Sequence, residues 1–181
     1  MIERYSRPAM KKVWSDDNAF ELWLRVEIAA CQAWSDLGVV PKEDMDLIRH
    51  ATFNRSSYDK WFDETKHDVV SFTRAVSETL GPESRWIHYG LTSNDVKDTA
   101  LAMQMTEACD LIDAGVLELM TSLTKQAMVY KNTPCIGRSH GVHAEPMSFG
   151  LKLALWWSEM QRNRDRIAGV RSRVAVGMIS G

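Results

Sequence analysis

A run of residues from about Asp95 to Tyr130 constrains the possible folds of this chain more than any other segment. Its apolar side chains recur every three or four residues, as they do along one face of an α-helix, and no proline interrupts the run. At the usual rise per residue, a helix of about 36 residues extends about 54 Å, which predicts a bundle whose other helices are equally long. The apolar positions are Leu101, Met105, Ala108, Ile112, Val116, Leu119, Leu123, Ala127 and Tyr130.

A second long helix is predicted for residues 147–176, after a predicted loop at 131–146. Its apolar face comprises Phe149, Leu153, Trp156, Met160, Ile167, Val170 and Val174. Two helices alone cannot bury apolar faces of this length. We therefore expect partner chains or a continuation to complete the bundle, and we interpret the 181 residues as an N-terminal fragment.

The first part of the chain contains shorter helical patterns, and no segment alternates convincingly as a strand would. Helices are predicted from Asp16 to Gly38, from Pro41, and from Asp68 to Gly81. Their apolar faces comprise Phe20, Leu24, Ile28, Cys31 and Trp34 in the first, and Val69, Phe72, Val76 and Leu80 in the third. The predicted fold class is all-α, with an N-terminal helical domain at 1–92 and the start of a long-helix bundle at 93–181.

Composition excludes several classes of protein. Net charge is −2 with both signs interspersed, so we expect neither a nucleic-acid partner nor an anionic membrane surface. The longest apolar stretch is interrupted by Lys152, which argues against a membrane span. Three widely spaced cysteines without a CxxC pair argue against a disulfide framework or a zinc site, and they favour a cytoplasmic protein.

The segment "GRSHGVHAEP" at 137–146 admits three interpretations: a metal site, an acid/base site or a polar turn. Its histidines, His140 and His143, are three residues apart among glycines, which is not the favoured spacing for metal ligands on a helix. On local spacing alone, a solvated turn remains the leading interpretation. Arg138 and Ser139 nevertheless add an anion donor and a hydroxyl, and the glycines permit close approach of the backbone to a ligand.

Two helix starts carry polar side chains that could either cap the helix or hold an anion. "TKHDVV" places Lys66, His67 and Asp68 at one start, and "HYGLTSND" places Thr92 and Ser93 at the other. Capping is common for such residues, whereas exposed N–H groups at a helix start can also bind a carboxylate or phosphate.

The N-terminal segment "ERYSRP" adds Arg4 and Tyr5. By itself this segment is weak evidence for an anion-binding site. Together, however, several anion-compatible segments predict a small substrate with more than one negative charge.

The four segments together resemble the adenylosuccinate lyases, a family of the fumarase/aspartase superfamily. They read "ERYSRP", "TKHDVVSFTRAVSE", "WIHYGLTSNDVKDTAL" and "GRSHGVHAEPMSFGLKLALW", and the resemblance runs from residue 2 to the last residue. The histidine-bearing segment is shared across the superfamily. The N-terminal segment and "KHDVV" are what distinguish this family from its siblings.

The resemblance implies a β-elimination that releases fumarate, with adenylosuccinate giving AMP and succinylaminoimidazole carboxamide ribotide giving its carboxamide. A base removes a proton beside a succinyl carboxylate, the resulting dianion loses its C–N bond, and an acid protonates the leaving nitrogen. No metal or organic cofactor is implied. Fixed donors and positive charge would stabilise the intermediate.

The resemblance also implies a role for each matched residue. His140 would be the general acid, His67 would assist it and contact the substrate, and His143 would have only a structural role. The substrate-binding residues would be Arg4, Tyr5, Lys66, His67, Asp68, Thr92 and Ser93. Ser139 stands where the family often has threonine, and Lys66 stands where arginine is frequent. Either residue keeps a hydrogen-bond donor, but lysine cannot make the bidentate contact that a guanidinium makes.

The family assembles as a homotetramer around a central helical bundle, and its mobile serine loop lies in the second half of its chain. The 181 residues lack that loop, so we expect them to be inactive alone. Two alternatives stay open. One is another lyase or cycloisomerase of the superfamily, such as one acting on carboxymuconate or argininosuccinate; the other is a non-catalytic helical assembly module.

Overall fold

The computed structural model describes residues 2–180, apart from the side chain of Glu3. The chain forms two compact units. Unit 1 comprises the residues up to Met105 together with the segment from Ala175 onward, and unit 2 comprises Thr106–Val174. The domain boundary predicted between 92 and 93 stays a prediction.

Within residues 2–180, the structure has seven α-helices and one antiparallel β-hairpin, and about 70% of the chain is helical, which confirms the all-α class. The helices are α1 (Pro8–Val13), α2 (Asp16–Asp36), α3 (Lys42–Ile48), α4 (Arg55–Thr65), α5 (Asp68–Ser77), α6 (Ser93–Val129) and α7 (Phe149–Val174). The strands are β1 (Pro134–Ser139) and β2 (Val142–Ser148), and short 3₁₀ turns lie at Glu3–Tyr5 and Pro82–Trp86. The predicted long helices are therefore present.

Unit 1 has an aromatic core. Phe20 of α2 stacks on Phe53, with ring centroids 4.6 Å apart, and contacts Tyr58 of α4 at the same centroid distance. Phe72 of α5 is fully buried beneath these rings and meets Trp23 edge-on at 5.4 Å. This packing orients α5, and with it the helix start that carries His67 and Asp68.

The structure corrects the loop predicted at 131–146, because most of that segment forms the hairpin of β1 and β2. Ser139 pairs directly with Val142, which leaves His140 and Gly141 as a two-residue turn. Both have positive φ, 53° and 76°, as a type I′ turn requires. The strand pattern is weak in sequence because the hairpin is largely exposed and is interrupted by Gly137 and Pro146.

In unit 2, α6 and α7 run antiparallel and are joined by two bidentate ion pairs. Arg164 donates to both carboxylate oxygens of Asp113 at 2.7 and 2.9 Å, and Arg171 donates to those of Asp110 at 2.6 and 3.1 Å. Few side chains are buried between the helices. Large exposed apolar residues on them include Leu111, Ile112, Leu117, Leu119, Leu151, Leu155, Trp156 and Val170.

The start of α7 lies against the end of α6 at Gly150. Its N–H donates to Tyr130 O at 3.0 Å, and a Cβ on Gly150 would lie 2.5 Å from Ala127 O and 2.7 Å from Lys131 Cα. Backbone occupies that space, so a side chain at this position cannot be accommodated by a rotamer change.

We expect Gly150→Ala to lower the free energy of unfolding by about 1–3 kcal/mol, because a methyl group there overpacks against backbone. Gly169→Ala is the matched control, since no atom lies within 4 Å of a Cβ there. It should stabilise α7 by about 0.5–1 kcal/mol through helix propensity. Urea denaturation followed by circular dichroism measures both, and equal effects of the two variants would contradict the close approach at Gly150.

Candidate active site

His67 is the N-cap of α5, and this contact defines its neutral tautomer. Its Nδ1 accepts the N–H of Val70 at 3.3 Å, and the ring is about half exposed. Because Nδ1 is the acceptor, the proton of a neutral ring resides on Nε2. The exposed Nε2–H is then available as a donor to a ligand.

Asp68 joins the start of α5 to the first turns of α6. One carboxylate oxygen accepts the N–H of Val69 at 2.8 Å, and the other accepts Lys97 Nζ at 2.6 Å. Partial burial acts to raise the pKa of Asp68, but the hydrogen bonds from Lys97 and Val69 outweigh it and lower that pKa. The ion pair thus joins the predicted segment 66–68 to Lys97, one turn beyond the start of α6 at Ser93.

The structure corrects one part of the anion-site interpretation at α5. The N–H groups of Val69 and Val70 are already occupied by the side chains of Asp68 and His67. Lys66, in a left-handed conformation with φ 52°, is exposed and pairs with Asp63 at 3.3 Å. An anion here would therefore be held by side chains rather than by free backbone donors.

Thr92 and Ser93 lie where α6 begins. The Thr92 N–H donates to Asp95 Oδ2 at 2.8 Å, so the first turn is closed by its own carboxylate. Within residues 2–180, neither hydroxyl of the pair makes a hydrogen bond, and Thr92 is exposed. Both hydroxyls are available to a ligand, and their role in substrate binding stays a prediction.

Arg4 and Tyr5 form a pair of their own in the N-terminal 3₁₀ turn. The Arg4 guanidinium lies over the Tyr5 ring, 4.8 Å from its centroid, and the Tyr5 side chain is 72% exposed. Arg4 stays in contact with an aromatic face while its donors remain accessible.

The turn before α6 is held by Glu27, which sequence analysis missed. Glu27 is fully buried on α2 and accepts the N–H of His88 and its ring Nδ1, both at 2.7 Å. The hydrogen bond and charge of Glu27 raise the pKa of His88 against the opposing effect of burial. A signal existed in the sequence, since Phe20, Glu27 and Trp34 recur every seven residues along the buried face of α2.

His140 lies in unit 2, at the tip of the hairpin, with an exposed side chain. Its left-handed φ is sparsely populated for residues other than glycine, although histidine tolerates it better than most. His143 lies on β2, where it pairs with Arg138 across the hairpin, and it belongs to a strand rather than to the predicted loop. The other predicted site residues, from Arg4 to Ser93, all belong to unit 1.

Metal ligation is not indicated within residues 2–180. No three His, Cys, Asp or Glu side chains converge there as they would around a metal ion. Burial raises the pKa of the Cys31 thiol to about 12, and this thiol donates to Trp86 O at 3.2 Å. In the same part of the chain, every helix is too short or too polar to cross a lipid bilayer.

The sequence of the chain matches a known family. The sequence profile of the family described as lyase matches residues 3–181. The chain belongs to this lyase family. It is part of the fumarase/aspartase superfamily, which confirms the resemblance predicted from the four segments.

One relative within this superfamily is similar to the chain over its whole length. The adenylosuccinate lyase of Bacillus subtilis (strain 168) is 50% identical over 182 aligned positions, which cover 100% of this chain and 42% of the relative. The chain thus spans less than half the length of that lyase.

Solved structures share the fold. A fumarate lyase from Mesorhizobium sp. BNC1 aligns with a TM-score of 0.87 at 25% identity, over 95% of this chain and 42% of its own. A 3-carboxy-cis,cis-muconate lactonizing enzyme from Pseudomonas putida gives a TM-score of 0.87 at 29% identity, over 98% of this chain and 42% of its own.

We expect the contact between Glu27 and His88 to make stability depend on pH. The folded-state pKa of His88 lies above its unfolded value, so its contribution is fully present below the unfolded pKa of about 6.5 and is lost as pH rises through the folded pKa. His88→Asn keeps a side chain that tolerates the φ of 65° but removes the titration.

The difference in unfolding free energy between wild type and His88→Asn should therefore shrink as pH rises, by about 1.4 kcal/mol for each unit of pKa shift. Urea denaturation at several pH values measures it. His50→Asn, at an exposed histidine after α3, is the matched control, because it removes an imidazole that has no contact with Glu27. A constant difference for His88→Asn would rule out a protonated His88 in the folded state.

Proposed function

We propose that the full-length protein is an adenylosuccinate lyase that releases fumarate from adenylosuccinate and from succinylaminoimidazole carboxamide ribotide, in purine biosynthesis. The observation that carries the proposal is the 50% identity to the Bacillus subtilis adenylosuccinate lyase across the whole of this chain. The lyase family assignment supports the reaction type, a carbon–nitrogen β-elimination.

In this proposal His140 is the general acid. A base from outside these 181 residues takes the proton beside a succinyl carboxylate, and the electron pair remains as a dianionic aci-carboxylate. The C–N bond then breaks and His140 protonates the leaving nitrogen, which preserves the balance of charge and protons. An exposed ring at a hairpin tip is accessible to the leaving group of a substrate.

The unit 1 residues bind the anionic parts of the substrate. The exposed Nε2–H of His67 and the hydroxyls of Thr92 and Ser93 supply hydrogen-bond donors to carboxylate or phosphate oxygens. Lys66 and Asp68 complete the segment, with Asp68 fixing it to α6 through Lys97. Arg4 and Tyr5 contact the nucleotide, for which a guanidinium over an aromatic ring offers both charge and a stacking face.

The exposed apolar side chains of α6 and α7 support a homo-oligomer, proposed as a tetramer, in which other copies cover these helices. The chain spans 42% of the length of its Bacillus relative, so we expect negligible fumarate release from the 181 residues alone. Cys31, Cys109 and Cys135 are free thiols, which supports a cytoplasmic location.

A sibling function is the second candidate. The Pseudomonas lactonizing enzyme and a β-carboxy-cis,cis-muconate cycloisomerase from Acinetobacter calcoaceticus match the fold with TM-scores of 0.87 and 0.85. Their identities of 29% and 25% are well below that of the adenylosuccinate lyase. Incubation of the full-length protein with adenylosuccinate and with carboxymuconate, followed by absorbance, separates the two.

We expect His140→Asn to reduce kcat of the full-length protein by at least about 100-fold, because an amide cannot protonate the leaving nitrogen. Asparagine before Gly141 also suits a type I′ turn, so stability should be unchanged or slightly higher. Fumarate release and thermal unfolding measure the two effects.

His143→Asn, on the same hairpin, is the matched control and should retain activity within about threefold. Near-normal turnover of His140→Asn, or an equal loss in both variants, would refute the role assigned to His140. An inactive wild type would instead refute the proposed function.

A further inference from the structure

Asp95 makes contacts that extend beyond the cap of its own helix. Its side chain is 1% exposed, and Oδ2 accepts the Thr92 N–H at 2.8 Å. The other oxygen, Oδ1, accepts the N–H of Ser180 at 2.7 Å and its Oγ–H at 3.1 Å. A cap needs only one carboxylate oxygen, so the second oxygen serves a segment that is 85 residues away in sequence.

Thr99 holds the same distant segment one turn further along α6. Its Oγ1 accepts the N–H of Met178 at 3.0 Å and donates to Met178 O at 3.2 Å. Positions 95 and 99 lie on the same face of the helix because they are four residues apart. The segment 178–180 therefore lies along the first turns of α6, in contact with the helix start that presents Thr92 and Ser93.

A buried carboxylate of this kind is costly to alter. Its charge is compensated by the donors directed at it, and loss of one partner would leave a buried polar group unpaired. Replacing an acceptor oxygen with an amide NH₂ would also oppose donor to donor at either Thr92 or Ser180. With the NH₂ toward Thr92, the Thr92 N–H loses its acceptor; with the NH₂ toward Ser180, the segment 178–180 loses its contact with the start of α6. Either loss disturbs the turn that carries the two hydroxyls.

We propose that Asp95 is a positioning residue, which orients the Thr92–Ser93 hydroxyls toward the substrate and joins them to the segment 178–180. The inference rests on the proposed function, since it assumes that these hydroxyls bind substrate. It adds a residue that contacts no substrate and acts through the backbone of Thr92. Small displacements of binding groups can cost about 100-fold in catalytic efficiency.

The test compares variants of the full-length protein in adenylosuccinate turnover. Asp95→Asn should reduce kcat/KM by about 30- to 100-fold, with most of the loss in KM, because binding groups are displaced. Thr99→Val is the matched control, since it removes both contacts to Met178 but does not touch Thr92. It should lower Tm while leaving KM within about threefold of wild type.

Asp95→Glu tests rescue, because a glutamate at this helix position can still reach the N–H of the capping residue. Its KM should stay within about threefold of wild type. If Asp95→Asn does not fold, Asp95→Glu decides: a KM near wild type supports the inference, and an increase of about tenfold or more overturns it.

Two results would overturn the inference while leaving the proposed function intact. One is a kcat/KM of Asp95→Asn within twofold of wild type. The other is a KM increase in Thr99→Val that equals the increase in Asp95→Asn, which would assign the effect to general loosening of 178–180. Absence of turnover in the wild type would overturn the proposed function itself, so the two failures are distinguishable.

Discussion

The hydrogen bonds between Glu27 and His88 connect the core of unit 1 to the turn from which α6 begins. Glu27 has no exposed surface, so its carboxylate has to be satisfied from within the protein, and both partners come from one residue with a left-handed backbone. The direction in which the chain enters α6 therefore depends on this contact. The hydroxyls and backbone groups at the start of α6 are therefore oriented by the same contact.

At the starts of α5 and α6, other carboxylates likewise hold chain segments by accepting hydrogen bonds. Asp68 pairs with Lys97, and Asp95 accepts donors from Thr92 and Ser180. Each carboxylate thus fixes a chain segment that carries predicted substrate-binding groups, while the groups themselves remain exposed. In this arrangement, buried or partly buried carboxylates hold the backbone while most of the predicted donors to the substrate lie nearer the solvent.

The sequence allowed the long helices and the four polar segments to be predicted, since periodicity and motif content are local properties. It did not predict α4, whose residues are mostly polar and of which only Tyr58 is buried. Nor did it predict the hairpin, whose strands bury almost nothing. The partners of Asp68 and Asp95 lie 29 and 85 residues away, and such pairings follow from tertiary packing rather than from any local pattern.

The hairpin that carries His140 has a regular register from Arg138 to His143. Ser139 pairs directly with Val142, so two residues make the whole turn. One residue added or removed between Arg138 and His143 would shift the register there and transfer the side chains to the opposite faces of the hairpin, whereas a bulge between Ile136 and Arg138 already accommodates one extra residue on β2. The number of residues between Arg138 and His140 is therefore fixed by the strand register. Side chains between the bulge and the turn can vary, but the number of residues there cannot change without a change of register.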